Sequence, residues 1–301
     1  MTELLTAVLA AIAGGVPIDA LVAVDVTQGQ MYEHLQEATL LNASLWVNIA
    51  LAGLSILLFV YMGRNIENPR AQLIWVATLM VPLVSISSYT GLATGLTMGV
   101  LEMPAGHALH GGELVLADGT TIQDGAISMW GRYLTWALST PFILLALGLL
   151  ANTNFTKLFT AIVADVSIMI TGLAAALTTS SYAMRWFWYF ISVTFFLVVV
   201  YILLVEWPED AQAAGTAEIF NLLKVLTVVL WFGYTIWWAL GNEGLALIES
   251  VAITSWGYSI FDIIAKYVFA FLLLNWIASN EGIIAGHSSS TGSGTAAPGD
   301  D

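Results

Sequence analysis

The sequence predicts an all-α membrane protein, a bundle of seven transmembrane helices, and three observations carry that prediction. First, 58% of its 301 residues are hydrophobic and only 9% are charged, with a mean hydropathy of +0.84, whereas soluble domains carry about a quarter charged residues. Second, the apolar residues gather into seven stretches, at 43–64, 71–98, 128–150, 156–178, 184–207, 219–241 and 250–278. Each is long enough for a helix to cross a hydrocarbon core of about 30 Å. Third, the segments between them are mostly short, as expected of a bundle in which each helix satisfies its own backbone polar groups.

Taken in order, residues 1–41 precede the bundle. Their apolar run LLTAVLAAIAGGVPIDALVAV is broken by Gly14, Gly15, Pro17 and Asp19, so it is a poor span. No basic residue precedes the run, which favours a surface cap or mobile tail over a cleaved signal peptide. The transmembrane domain covers 42–279. Within it the link 99–127 is the longest, and its alternating ELVL followed by a glycine turn predicts a small hairpin. Residues 280–301, ending HSSSTGSGTAAPGDD, read as a disordered tail. Arg64, Arg70, Lys157 and Lys224 fall on one side of the bundle and Arg185 on the other. By the positive-inside rule the first side is cytoplasmic, so the N-terminus and the 99–127 link are extracellular and the tail is cytoplasmic. No internal repeat is evident, which disfavours an inverted-repeat transporter.

The formal charge of -14 arises from 21 acidic against 7 basic residues, and there is no cysteine. Acidic aqueous faces disfavour nucleic acid and stay soluble at very high salt, as in a halophilic source. The missing cysteines exclude disulfides, thiolate catalysis and cysteine-ligated metals, and no metal site is expected.

Three polar or aromatic constellations interrupt the apolar spans. Lys266 sits mid-span in SWGYSIFDIIAKYVFAFLLLNW, one helical turn after Asp262. A bare ammonium there is costly and marks a functional site, and the carboxylate on the same face is its partner. A structural ion pair is the alternative. In RYLTWALSTP, Arg132, Thr135 and Ser139 recur on one face, where a guanidinium and two hydroxyls suit an anion. Either hydroxyl alone more commonly bonds back to its own helix. In WFGYTIWW, Trp231, Tyr234 and Trp238 share a face. Such stripes are usually core, but with Trp136, Trp188 and Tyr189 they offer enough flat surface to sandwich an elongated conjugated ligand.

Over residues 43–278 these features resemble the microbial rhodopsins, seven-helix proteins carrying retinal as a Schiff base on a last-helix lysine. FDIIAK matches that lysine and its carboxylate, so the resemblance implies all-trans retinal on Lys266 with Asp262 as counterion. It implies that Tyr89 and Tyr234 hydrogen-bond the counterion. It implies a retinal pocket of Trp136, Thr140, Asp165, Gly172, Trp188, Tyr189, Ser192, Trp231, Tyr234 and Trp238. Asp165 pairs with Thr140 in a structural link rather than a proton relay. Proton pumps of the family carry an aspartate where this chain has Thr135, and usually a carboxylate where it has Ala146. Thr135, Ser139, Ala146 and EMPAGH together are similar to the halorhodopsin branch, light-driven inward chloride pumps. There a bound chloride, near Arg132, Thr135 and Ser139, replaces the missing carboxylate. Lys224 and Thr227 match positions near the cytoplasmic anion exit, with an interfacial lysine and a back-bonded threonine as the alternative.

Two departures stand out. Thr235 occupies a position where the family has proline, which alters the expected kink of the sixth helix. Phe190 occupies one where a small residue is common, and is expected to crowd the ring end or shift the absorption colour. The resemblance further implies a homo-trimer in lipid, a carotenoid partner, and the cell membrane of a halophilic archaeon. The chain would then be an ion transporter and not an enzyme. A photosensory receptor signalling to a partner, distinguished by the absence of electrogenic chloride movement, and a chromophore-free anion carrier, distinguished by the absence of a visible band, remain as alternatives.

Overall fold

The computed structural model describes residues 26–290. The greater part of the N-terminal segment, 1–25, and the end of the tail, 291–301, lie outside the described residues. Among the described residues seven helices are long and apolar enough to cross a membrane, preceded by a short helix α1 (Gln28–Glu37). The seven are α2 (Thr39–Gly63), α3 (Pro69–Ala93), α4 (Gly131–Leu150), α5 (Phe155–Leu177), α6 (Tyr182–Ala213), α7 (Ala217–Leu240) and α8 (Val251–Gly286).

Their starts are set by local chemistry. Asn68 accepts from the backbone N–H of Arg70 (3.0 Å) and Ala71 (3.1 Å), with Pro69 in the first turn. Asn154, Ser181 and Ser250 cap α5, α6 and α8 in the same way, each satisfying an N–H that the helix leaves unpaired. Thr27 and Gln30 cap α1 reciprocally. Helix α8 ends later than the sequence suggests. It continues across a kink at Asn280 to Ser290, past the boundary at 279 from which disorder was expected.

The link between α3 and α4 forms two antiparallel ribbons. β2 (Glu113–Val115) pairs with β3 (Thr121–Gln123), the hairpin that alternation predicts, and β1 (Gly99–Glu102) pairs with β4 (Gly125–Ser128). The hairpin turns at Gly119, whose φ of 84° suits glycine. Asp118 accepts from Thr120 N–H (2.9 Å) and from the Gln30 side chain (2.8 Å). These bonds, Gln30 foremost, hold its carboxyl below the ordinary range and tie α1 to the hairpin.

Helix α4 is the axis of the bundle: 61% of its most apolar window is buried, against 28% for α2, α5, α6 and α7. One apolar core around Phe59, Leu147, Trp207 and Leu273 fills the end of the bundle carrying Arg64 and Arg70, and another around Leu35, Leu45, Leu92 and Ile127 lies under the ribbons. Two π-helical turns interrupt the long helices, at Ile202–Glu206 in α6 and Ile263–Val268 in α8. Such bulges commonly mark functional positions, and the second contains Lys266.

Helices α7 and α8 meet closely because Gly257 has no side chain. A Cβ there would stand 2.1 Å from the Trp237 ring, whose Nε1 donates to Thr254 O at 3.0 Å. Gly257→Ala should therefore displace Trp237 and destabilise the protein by about 1–3 kcal/mol, the usual cost of overpacking. A lowered thermal midpoint in detergent checks it, and an unchanged midpoint refutes the close approach.

Candidate functional site

The α8 face that carries Lys266 points into the bundle. Lys266 and Asp262 are 1% and 0% exposed, and their charged atoms, Nζ and Oδ2, are 3.1 Å apart. The carboxylate is saturated with donors from three other helices. Tyr89 of α3 donates to Oδ2 at 2.6 Å, while Tyr234 of α7 (2.5 Å) and Trp136 Nε1 of α4 (3.3 Å) donate to Oδ1. Arg132 approaches from the side of the ribbons. Its guanidinium donates to the Tyr89 hydroxyl (3.1 Å) and to Ser255 Oγ (2.6 Å). Two cations and one carboxylate leave the centre one positive charge in excess, and burial makes that charge call for an anion.

The hydroxyls divide. Thr135 bonds back to Gly131 O at 3.0 Å and meets Ser88 Oγ, a partner from α3. Ser139 Oγ is fully buried and makes no hydrogen bond, and the same holds for Arg132 Nε. Lys266 Nζ, though in ion-pair range of Asp262, is not aligned for a hydrogen bond either. Buried donors left in this state are a cost unless something accepts from them.

Beyond Lys266 runs an apolar cavity with the lysine side chain in its wall. Trp136, Trp231, Tyr234 and Trp238 line it, as do Thr140, Gly172, Tyr189 and Ser192. Tyr189 stacks on Trp238, with ring centroids 5.0 Å apart and planes at 17°. Gly172 keeps the wall thin, since a Cβ there would stand 3.4 Å from the Tyr133 ring. The cavity is walled by aromatic rings and has an amine in its wall, so its residues fit a conjugated aldehyde-derived chromophore held through Lys266.

Not every residue singled out from the sequence lines the cavity. Asp165 stands behind the wall and accepts from Thr140 Oγ1 at 2.6 Å, a link between α4 and α5. Trp188 is absent from the lining and packs edge-on against Phe187. Phe190, expected to crowd the ring end, is 61% exposed on the outer face. The helical phase of α6 turns it away while Tyr189 and Ser192 face inward. Thr235 lines the cavity and bonds back to Trp231 O (3.1 Å), and α7 runs unbroken through it. Lys224 and Thr227 stand apart from this centre. The first donates to Asn221 (2.8 Å) and the second back-bonds to Leu223 O (2.8 Å).

Sequence reasoning missed Tyr133, Tyr258, Ser88 and Ser255. Tyr258 was accessible to it, lying one turn before Asp262 on the same face, and Ser88 adjoins Tyr89. Tyr133 and Ser255 gave no such signal. It also missed a cluster beneath the ribbons. Arg185, 1% exposed, donates from Nε to the Glu243 carbonyl at 2.6 Å. His107 packs edge-on to Tyr182 with ring centroids 5.6 Å apart, and burial, then the nearby Arg185 charge, push its imidazole down to about 4.

A seven-helix bundle with a buried last-helix lysine facing an aromatic cavity is the architecture of a known class, and the chain belongs to it: residues 39–280 match the model of the bacteriorhodopsin-like protein family. It is a multi-pass membrane protein. Within that class it is similar to halorhodopsins of halophilic archaea. The halorhodopsin of Halobacterium sp. (strain SG1) is 64% identical over 299 residues, covering 98% of this chain and 99% of the relative. Among solved structures, the bromide-bound form of halorhodopsin from Halobacterium salinarum superposes with a TM-score of 0.76 at 60% identity, covering 83% of this chain and 98% of the other. A structure described as halorhodopsin, a light-driven chloride pump, gives 0.75 at 60% identity, covering 82% and 98%.

Removing the Asp262 charge while keeping its shape tests the electrostatics of the centre. Asp262→Asn leaves Lys266 and Arg132 buried without compensation, which costs about 3–5 kcal/mol. A fall in thermal midpoint well beyond that of a Ser259→Ala control is expected. Equal midpoints would mean that the carboxylate does not balance the buried cations.

Proposed function

We propose that the chain is a light-driven inward chloride pump, an ion transporter rather than an enzyme, with retinal held through a Schiff-base linkage to Lys266. The observation that carries the reading is the charge of the centre. Lys266 and Arg132 outnumber Asp262, and Thr135, at the position where the resemblance puts an aspartate in proton pumps, adds no charge. Similarity to relatives named halorhodopsins supports it.

Retinal, when bound, supplies absorption of visible light and a photoisomerisation that redirects the nitrogen on Lys266. The chain's own residues do the rest. Asp262 stabilises positive charge on that nitrogen and is itself held by Tyr89, Tyr234 and Trp136. Arg132, Thr135 and Ser139 are the chloride-binding groups. Of these, Ser139 Oγ and Arg132 Nε have donors to offer. Trp136, Trp231 and Trp238 confine the chromophore and keep water out of the apolar cavity. The extracellular face is the end with the ribbons, because Arg64, Arg70, Lys157 and Lys224 mark the other as cytoplasmic. Chloride therefore passes inward, leaving toward Lys224 and Thr227, and the cell interior becomes more negative. Assembly as a homo-trimer in lipid and a carotenoid partner belong to the same reading and rest on family resemblance alone.

Two measurements test it. Purified protein should be coloured and Lys266→Ala colourless. A visible band and attached chromophore surviving in the variant would refute the linkage. Illuminated cells in chloride should draw protons in through an uncoupler, so the pH of the medium rises. Thr135→Asp should cut chloride transport at least ten-fold, since a fixed charge repels the anion. Light-driven acidification of the medium that the uncoupler abolishes would identify an outward proton pump instead.

A further inference from the structure

The loop 241–250 between α7 and α8 buries a carboxylate that the proposed cycle does not use. Glu243 is 9% exposed. Its Oε1 accepts from Ser128 Oγ at 2.7 Å and its Oε2 from the Tyr133 hydroxyl at 2.8 Å. Its backbone carbonyl is clamped by Arg185 Nε at 2.6 Å. Among the described residues its carboxylate forms no ion pair, so its charge is held by neutral hydroxyls. Such bonds fix the carboxylate in place, with the buried Arg185 guanidinium as the nearby cation.

Behind this carboxylate is a second, much smaller cavity, whose wall Glu243 shares with Arg132, Asn242, Thr254 and Ser255. Two of those wall residues keep a buried polar atom without a hydrogen-bond partner, Arg132 Nε and Thr254 Oγ1, and the residues are 4% and 6% exposed. The cavity wall thus offers donors beside the carboxylate. Arg132 connects it inward, through the Tyr89 hydroxyl, to Asp262. Glu243 bonds Ser128 of β4 on the ribbon side and shares the cavity wall with Arg132.

We infer that Glu243 is the extracellular gate of the anion path, a carboxylate latched across the cavity that leads to Arg132. This rests on the pump reading and specifies how its substrate is admitted. Latched, the carboxylate repels a halide from a space whose other groups would hold it. Unlatched, it withdraws toward solvent and the donors of Arg132 and Thr254 take the anion. The latch is wired to the chromophore pocket, because the Tyr133 hydroxyl that holds Oε2 also accepts from Trp238 Nε1 at 2.6 Å. A shift of Trp238 during the light cycle loosens Tyr133, and with it Glu243. Admission is thereby confined to the part of the cycle in which the inner site has been emptied.

The test is flash spectroscopy on the purified, retinal-loaded full chain, following halide recombination against bromide concentration at low ionic strength. In Glu243→Gln the second-order recombination rate should rise about ten-fold, the effect of one nearby charge across a partly hydrated gap. Added inert salt should narrow that difference, a response that a packing change would not show. The visible band at saturating bromide should not move. A rate within two-fold of wild type overturns the gate. If Glu243→Gln does not assemble, Ser128→Ala, which keeps the charge and removes one latch bond, decides instead. A rise of a few-fold supports the gate and an unchanged rate overturns it. A wild-type protein whose spectrum ignores bromide altogether would overturn the pump reading, and the gate with it.

Discussion

Placing an ammonium and a guanidinium at the middle of an apolar bundle with one carboxylate between them is the constraint on which the rest of the structure depends. Buried ions cost several kcal/mol each in lost hydration, and attraction recovers that only where the remaining lone pairs and protons are satisfied. Asp262 meets the condition by accepting from α3, α4 and α7 while pairing with Lys266 on α8. Four helices must therefore converge on one carboxylate. Local choices elsewhere serve that convergence: the burial of α4 at the axis, the missing side chain of Gly257 where α8 meets Trp237, and the π turn around Lys266.

The same arithmetic leads from structure to function. The centre is left with a positive charge and with buried donors, at Ser139 and at Arg132, that no group among the described residues satisfies. Completing the balance with a carboxylate at position 135 would create a fixed acceptor for protons. A threonine there leaves the balance to a mobile ion.

Both ends of the bundle bear on the path. At the ribbon end, Arg185, His107 and Glu243 bring together groups from three separate segments, α6, the 99–127 link and the 241–250 loop. Their burial ties covering loops to helix ends more firmly than loop sequences suggest. At the other end the interactions are local: among the described residues, the polar contacts of Lys224 and Thr227 are to their own helix.

The sequence by itself determined the seven spans, the charged pair on the last helix, the arginine and hydroxyls of α4 and the aromatic face of α7. All of these are written in local periodicity: a 3.6-residue repeat states which side chains share a face, and bilayer thickness states how long a helix must be. The hairpin was legible for the same reason, through alternation and a glycine turn. Only the tertiary structure decided which faces meet. Helical phase turned Phe190 outward and Tyr189 inward, left Trp188 off the cavity wall, and put Asp165 behind it. It also joined Glu243 to Ser128 and Tyr133, residues more than one hundred positions away. No local pattern encodes such a bond, because it depends on how two helices and a ribbon pack, and packing is a property of the whole bundle.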